Sequence, residues 1–129
     1  METKKKILIV DDDLFLLDMY SLKFNQSGYE VATAQGADPA LAKLEEGFLP
    51  DIILLDIMMP GMDGFELLEK LKQDKIAESA IRIILSNRGQ QSDVARGEAL
   101  GASGYIVKAS STPSEVIAKV SEIITKPKV

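Results

Sequence analysis

Short apolar runs recur at residues 7–10, 29–34, 52–55, 81–85 and 105–107, and a stretch of helical period follows each of them. Unbroken apolar runs of this length suit strands covered on both faces, the environment of a parallel sheet. Parallel neighbours need a crossover between them, and the intervening stretches supply one each time. The alternation predicts an α/β fold: a single doubly wound, five-stranded parallel sheet with five helices, linked by right-handed crossovers. The second run is broken by Glu30 and Thr33, which places it at a sheet edge. The flavodoxin-like order 2-1-3-4-5 satisfies this. It also sets the first strand beside the third, at the switch point where such sheets bind ligands.

The helical stretches carry their own boundary signals. Asp13 is placed to cap the first helix, whose Leu14, Leu17, Tyr20 and Phe24 form an inward stripe ending near Gly28. Asp38-Pro39 reads as an N-cap followed by a first-turn proline, with Gly47 closing that helix. Asp63 and Glu66 have the spacing of a capping box ahead of Leu67, Leu68 and Leu71. Thr112-Pro113-Ser114-Glu115 provides a similar start for the last helix, striped by Val116, Ile117, Val120, Ile123 and Ile124. The fourth helix, about residues 92–100, contains Gly97 and few apolar anchors, so it is expected to be the least stable.

The residues at the ends of the runs carry chemistry. The first run, Ile7-Leu8-Ile9-Val10, is followed by Asp11-Asp12-Asp13; the third ends in Asp56, the fourth in Ser86 and the fifth in Lys108. Adjacent strands lie ~4.8 Å apart, so the order 2-1-3-4-5 lines up Asp11/Asp12, Asp56, Ser86 and Lys108 along one edge of the sheet. Clustered carboxylates repel one another and need a cation to persist. Their hard oxygen donors select Mg²⁺, Mn²⁺ or Ca²⁺ over zinc. The hydroxyl and the ammonium suit phosphate oxygens. Such a set is built for phosphoryl transfer, where positioning and charge neutralisation carry most of the catalysis.

Composition removes other chemistries. The chain has neither cysteine nor histidine, which excludes disulfides, thiol nucleophiles, a Ser-His-Asp triad and histidine metal ligands. Its 129 residues fit one domain, and its net charge of −5 disfavours direct contact with a nucleic-acid backbone. The basic start, with Lys4-Lys5-Lys6 as a solvated flank, meets only four apolar residues before three aspartates, which is no signal peptide. No run approaches the ~18–20 apolar residues of a membrane span, so no membrane insertion and a cytoplasmic location are expected.

The motifs together resemble the response-regulator receiver domains of two-component signalling, of the stand-alone chemotaxis or sporulation-regulator type. They are Ile7-Leu8-Ile9-Val10-Asp11-Asp12-Asp13; Leu54-Leu55-Asp56-Ile57-Met58-Met59-Pro60-Gly61-Met62-Asp63-Gly64; Ser86; and Gly101-Ala102-Ser103-Gly104-Tyr105-Ile106-Val107-Lys108. The resemblance covers nearly the whole chain and implies a receiver over residues 1–129 with no output domain. It implies that Asp56 is the phosphoacceptor and Lys108 contacts the phosphoryl group. Mg²⁺ would be held by Asp11, Asp12, Asp56 and the backbone carbonyl of Met58. Ser86 and Tyr105 stand at the family's switch positions. The implied donor is a sensor histidine kinase or a histidine phosphotransfer protein. The output is a protein contact through the face of the fourth helix, fifth strand and fifth helix, made by a monomer or a weak phosphorylation-dependent dimer.

Three residues depart from the family pattern. Ala109 replaces the proline usual after the lysine, so a trans Lys108–Ala109 bond and a shifted loop are expected; a cis bond there would cost ~3 kcal/mol. Asn87 replaces a smaller residue and restricts access to the site. Arg88 is expected either to shield the phosphoryl group or to pair with an acid. These departures keep in view a receiver that no longer signals by phosphate. A haloacid-dehalogenase-like phosphohydrolase using Asp11-x-Asp13 is the enzymatic rival, but Leu14-Phe15 stands where its Gly-Thr should follow and Asp56 would be idle. A flavin-binding electron carrier on the same sheet lacks its phosphate loop after the first strand.

Overall fold

The computed structural model describes residues 4–125. The first three residues of the basic flank and the tail from Lys126 onward lie outside the described residues. The chain runs β1 (Lys6–Val10), α1 (Leu14–Gln26), β2 (Glu30–Ala34), α2 (Ala37–Glu45), β3 (Ile52–Leu55), α3 (Gly64–Gln73), β4 (Ile81–Ser86), α4 (Gln91–Ala99), β5 (Ala102–Val107) and α5 (Pro113–Thr125). The strands form one sheet in the expected order, β2-β1-β3-β4-β5, and every pairing is parallel.

Side chains alternate across each strand, and both faces are covered. Leu8, Val10, Ile53, Leu55 and Ile84 pack against Ala40 and Leu41 of α2 and Phe65, Leu68 and Leu71 of α3. Ile7, Ile9, Ile52, Leu54, Ile83 and Leu85 pack on the opposite face against Leu17, Tyr20 and Phe24 of α1 and Val116 and Val120 of α5. This is why β1 from Ile7 to Val10 and all of β3 contain no polar residue, while β4 carries Arg82 near its start and Ser86 at its end. β2 has one covered neighbour only and is mostly half-buried, as its mixed sequence requires.

The caps largely follow the sequence. Asp13 accepts a hydrogen bond from the Leu16 amide at 3.2 Å. Asp63 and Glu66 close a full capping box at 2.8 and 3.1 Å, and Thr112 and Glu115 another at 3.2 and 2.9 Å. The second helix differs. It begins at Ala37 behind Gly36 (φ 109°), so Asp38 and Pro39 lie inside the first turn and no side chain caps it. A proline is tolerated throughout that turn because its missing N–H has no helical partner there. Leu14 also differs. It is the first helical residue, lies beyond the surface it was expected to cover, and is 56% exposed.

β5 starts three residues before its apolar run. Ala102 pairs with Arg82 and Gly104 with Ile83, leaving Ser103 as an extra residue in the strand. The small residues are there for the helices. A Cβ on Gly104 would come within 2.4 Å of Ile123 Cδ1, and one on Gly97 within 2.5 Å of Ile84 Cδ1. Glycine at these two positions spares the terminal methyls of Ile123 and Ile84 a shift where α5 and α4 lie on the sheet.

Candidate functional site

At the carboxyl ends of the strands, one carboxylate oxygen from each of Asp11, Asp12 and Asp56 lies within 4.8 Å of the others. Asp11 and Asp56 are buried and Asp12 is exposed. The β1–β3 pairing, which sets Val10 beside Leu55, brings the two acidic strand ends together. Backbone donors fix the acids. Asp56 Oδ1 accepts from the amides of Ile57 at 2.7 Å and Met58 at 3.3 Å, and Asp11 Oδ1 accepts from the Asp13 amide at 3.0 Å. Gly64 is part of the same construction. Its amide donates to the Ile57 carbonyl at 2.8 Å, and a Cβ there would fall 2.2 Å from the Asp56 carbonyl oxygen. Gly61, at φ 77°, makes the turn that precedes it.

Lys108 enters this cluster from the end of β5. Its Nζ donates to Asp11 Oδ2 at 2.6 Å and Asp56 Oδ2 at 2.9 Å, and its side chain is 8% exposed. Burial alone would lower the lysine's pKa; the hydrogen bonds to Asp11 and Asp56 outweigh it and hold the ammonium above its ordinary value. Burial pushes the Asp11 carboxyl up, against the lowering effect of its bonds from Lys108 and the Asp13 amide. The peptide after Lys108 is trans, as expected, and residues Lys108–Ser110 form a single 3₁₀ turn.

Ser86 is fully buried at the end of β4. Its hydroxyl oxygen accepts from the Arg88 amide at 3.3 Å, and the Tyr105 hydroxyl donates to the Arg88 carbonyl. The Arg88 guanidinium does not enter the acidic cluster. It bonds Asp93 in the first turn of α4 at 2.8 Å. Asn87 is exposed. Of the two roles open to Arg88, pairing with an acid is the one observed. Asp93 is buried and was not singled out in the sequence; an acid at the third position of a helix, five residues after an arginine, is the signal that could have found it.

The arrangement can hold a hard cation between three carboxylates, present one carboxylate oxygen beside an ammonium, and offer a hydroxyl one strand away. Asp13 is used as the cap of α1, so the Asp11-x-Asp13 pair that a dehalogenase-like mechanism needs is not assembled.

The family model for the response regulator receiver domain matches residues 7–121, and the chain belongs to that family. It is 38% identical over 123 residues to the phosphate regulon transcriptional regulatory protein PhoB of Rhizobium meliloti strain 1021, covering 95% of this chain and 53% of PhoB. It is 37% identical to the alkaline phosphatase synthesis transcriptional regulatory protein PhoP of Bacillus subtilis strain 168, covering 95% of this chain and 49% of PhoP. The chain thus spans about half the length of the curated relatives it matches. Among solved structures, Vibrio cholerae chemotaxis protein CheY4 superposes with a TM-score of 0.85 at 29% identity, covering 94% of this chain and 99% of CheY4. A CheY-like receiver from Methanospirillum hungatei JF-1 superposes at 0.82 with 34% identity, covering 93% of each chain. The protein is therefore a signalling module of two-component systems, with the flavodoxin-like fold of CheY. Among the described residues no helix is long and apolar enough to cross a membrane.

Proposed function

We propose that this receiver is a Mg²⁺-dependent switch that takes a phosphoryl group onto Asp56 from a phosphohistidine of a sensor kinase or phosphotransfer protein. The observation that carries the reading is the setting of the Asp56 carboxylate. Two backbone amides hold Oδ1, while among the described residues Oδ2 accepts a hydrogen bond only from the Lys108 ammonium. Oδ2 is thus the oxygen available to attack phosphorus. A new O–P bond forms as the P–N bond to the donor imidazole breaks; its electron pair leaves with the imidazole, which is protonated by solvent. Lys108 neutralises charge on the transferring oxygens.

Asp11, Asp12 and Asp56 fit a magnesium ion. Their donors are all oxygen, they converge, and exposed Asp12 leaves the solvent side open for the waters that Mg²⁺ retains. The Met58 carbonyl is the proposed backbone ligand. The ion, when bound, supplies positive charge to the phosphoryl oxygens. Leu14, Phe15 and Met58, which are 56%, 75% and 57% exposed and lie close in sequence to Asp12 and Asp56, offer an apolar rim to the donor protein.

After transfer, the Ser86 hydroxyl moves toward the new phosphoryl oxygens, Tyr105 turns inward, and the α4–β5–α5 face changes. One covalent group biases two pre-existing arrangements. Signalling by protein contact through that face, by a cytoplasmic monomer or weak phosphorylation-dependent dimer, completes the reading. The receiver promotes only its own phosphorylation and dephosphorylation and is otherwise no enzyme. Arg88 held on Asp93 and Asn87 turned to solvent support an open site rather than one that no longer takes phosphate. Incubation with acetyl phosphate and Mg²⁺ followed by intact mass tests it. One added phosphoryl group, dependent on Mg²⁺, is expected; no mass gain refutes the reading.

A further inference from the structure

Among the described residues, Arg88 is the one to which both proposed switch side chains are hydrogen-bonded. Its amide donates to Ser86 Oγ at 3.3 Å and its carbonyl accepts from the Tyr105 hydroxyl. Its side chain is anchored in turn. The guanidinium bonds Asp93 Oδ1 at 2.8 Å, and its carbon lies 6.0 Å from the centroid of the Phe65 ring on α3. Asp93 is 5% exposed and sits in the first turn of α4, whose N-terminus has no side-chain cap. The glycine that follows Arg88 is closely fitted too. A Cβ on Gly89 would meet Val107 Cγ2 at 2.8 Å, so the β4–α4 loop lies against the end of β5.

From this we infer that the Arg88–Asp93 ion pair is a clasp that holds the β4–α4 loop, Ser86 and Tyr105 in the unphosphorylated arrangement and so sets how readily the receiver switches. The inference rests on the phosphorylation reading above. Ser86 reaches a phosphoryl group on Asp56 by giving up or stretching its bond from the Arg88 amide. Tyr105 turns inward by releasing the Arg88 carbonyl. The Asp93 pair and the Phe65 contact hold the Arg88 backbone where it keeps both bonds, and so oppose both movements. The pair is half open to water, with Arg88 47% exposed and Asp93 7%, so it is weak enough to be overcome by a covalent change of charge. Arg88 and Asp93 thus act as positioning residues, through Ser86 and Tyr105, and touch no reacting atom. An equilibrium biased by one such pair is shifted by its removal in the same direction as by phosphorylation.

The test uses the full chain as wild type, Arg88→Ala, Asp93→Asn, the double variant and Arg88→Lys. Amide NMR positions of Ser86 and Tyr105 are followed without phosphate, and the initial rate of phosphoryl gain from acetyl phosphate with Mg²⁺ is read by intact mass. Each single variant should move the unphosphorylated signals along the line toward phosphorylated wild type. Each should raise the rate by about two- to fivefold, the range of a half-exposed ion pair. The double variant should go no further than either single variant, and Arg88→Lys should stay near wild type. Effects confined to Asp93→Asn would mark a helix-terminus charge and overturn the clasp, as would additive effects or shifts off the line. Wild type that gains phosphate while the variants match it throughout overturns the clasp alone. Wild type that gains none overturns the parent reading.

Discussion

Lys108 and Asp56 stand at the ends of strands that are not neighbours: β4 lies between β3 and β5, yet the lysine Nζ reaches Asp56 Oδ2 at 2.9 Å. The same ammonium bonds Asp11 at 2.6 Å, so one cation spans the sheet and is shared by both buried acids, offsetting part of their repulsion. Lys108→Met would leave those carboxylates facing each other. Removing one partner of a buried ion pair costs about 3 kcal/mol. Urea unfolding in EDTA should show a loss of that size, and Mg²⁺ should recover more stability in the variant than in wild type. A variant as stable as wild type in EDTA would contradict this account of the cluster.

Two glycines distinguish backbone contact from side-chain contact. In Gly64→Ala the new methyl meets the Asp56 carbonyl and the Ile57 backbone, at 2.2 and 2.7 Å, and neither can turn away. In Gly97→Ala the nearest atom is Ile84 Cδ1, the flexible end of a side chain, and alanine in a helix gains about 1 kcal/mol over glycine. Overpacking of the first kind costs about 1–3 kcal/mol. Gly64→Ala should therefore lower the urea midpoint and slow phosphorylation, because it displaces Asp56, while Gly97→Ala should leave both nearly unchanged. Equal effects of the two substitutions would contradict the packing described.

Ser86 separates acceptance of the phosphoryl group from the response to it. Ser86→Ala keeps Asp56, Lys108 and the acids in place, so acetyl phosphate should still phosphorylate the chain. Amide hydrogen exchange across residues 86–108 should then change much less on phosphorylation than it does in wild type. Wild-type protection that is the same with and without phosphate would refute the switch itself.

Much of this was legible in the chain because continuous apolar runs leave few choices. A strand with no polar residue must be covered on both faces, and the mixed sequence of β2 suits one edge of the sheet, with β5 at the other. The positions of Asp11, Asp56, Ser86 and Lys108 follow from that order. What stayed hidden depended on contacts between elements. The early start of β5 at Ala102 comes from its pairing with Arg82 and Ile83 across an irregular register, which no local pattern records. Asp38-Pro39 has the look of a cap and its proline, yet Gly36 is the cap and the helix begins at Ala37, because proline fits several first-turn positions equally. The pairing of Arg88 with Asp93 rather than with the site depends on how α4 is placed, and the sequence left both roles open.

The cap of α5 carries a pH dependence of known sign. Glu115 accepts from the Thr112 amide at 2.9 Å and in turn faces the Thr112 hydroxyl; these bonds, the backbone one first, hold its carboxyl below the ordinary 4.5. A group depressed in the folded state stabilises fully above its unfolded value and loses that contribution as pH falls through the folded one. Glu115→Gln removes the charge and keeps a capping side chain. The urea midpoint of wild type should exceed that of the variant by a constant amount at neutral pH, and the gap should close below pH 4.5. A gap independent of pH would remove the capping carboxylate from the account.

The switch depends on Asp56 forming a covalent bond to phosphorus, and the residue itself can be read directly. Protein treated with acetyl phosphate and Mg²⁺ is reduced with borohydride, which converts an aspartyl phosphate to homoserine, and the peptides are sequenced by mass spectrometry. Homoserine at position 56 alone, with none at Asp11 or Asp12 and no label in Asp56→Asn, is the predicted result. Homoserine at Asp11, or undiminished labelling of Asp56→Asn, would contradict it.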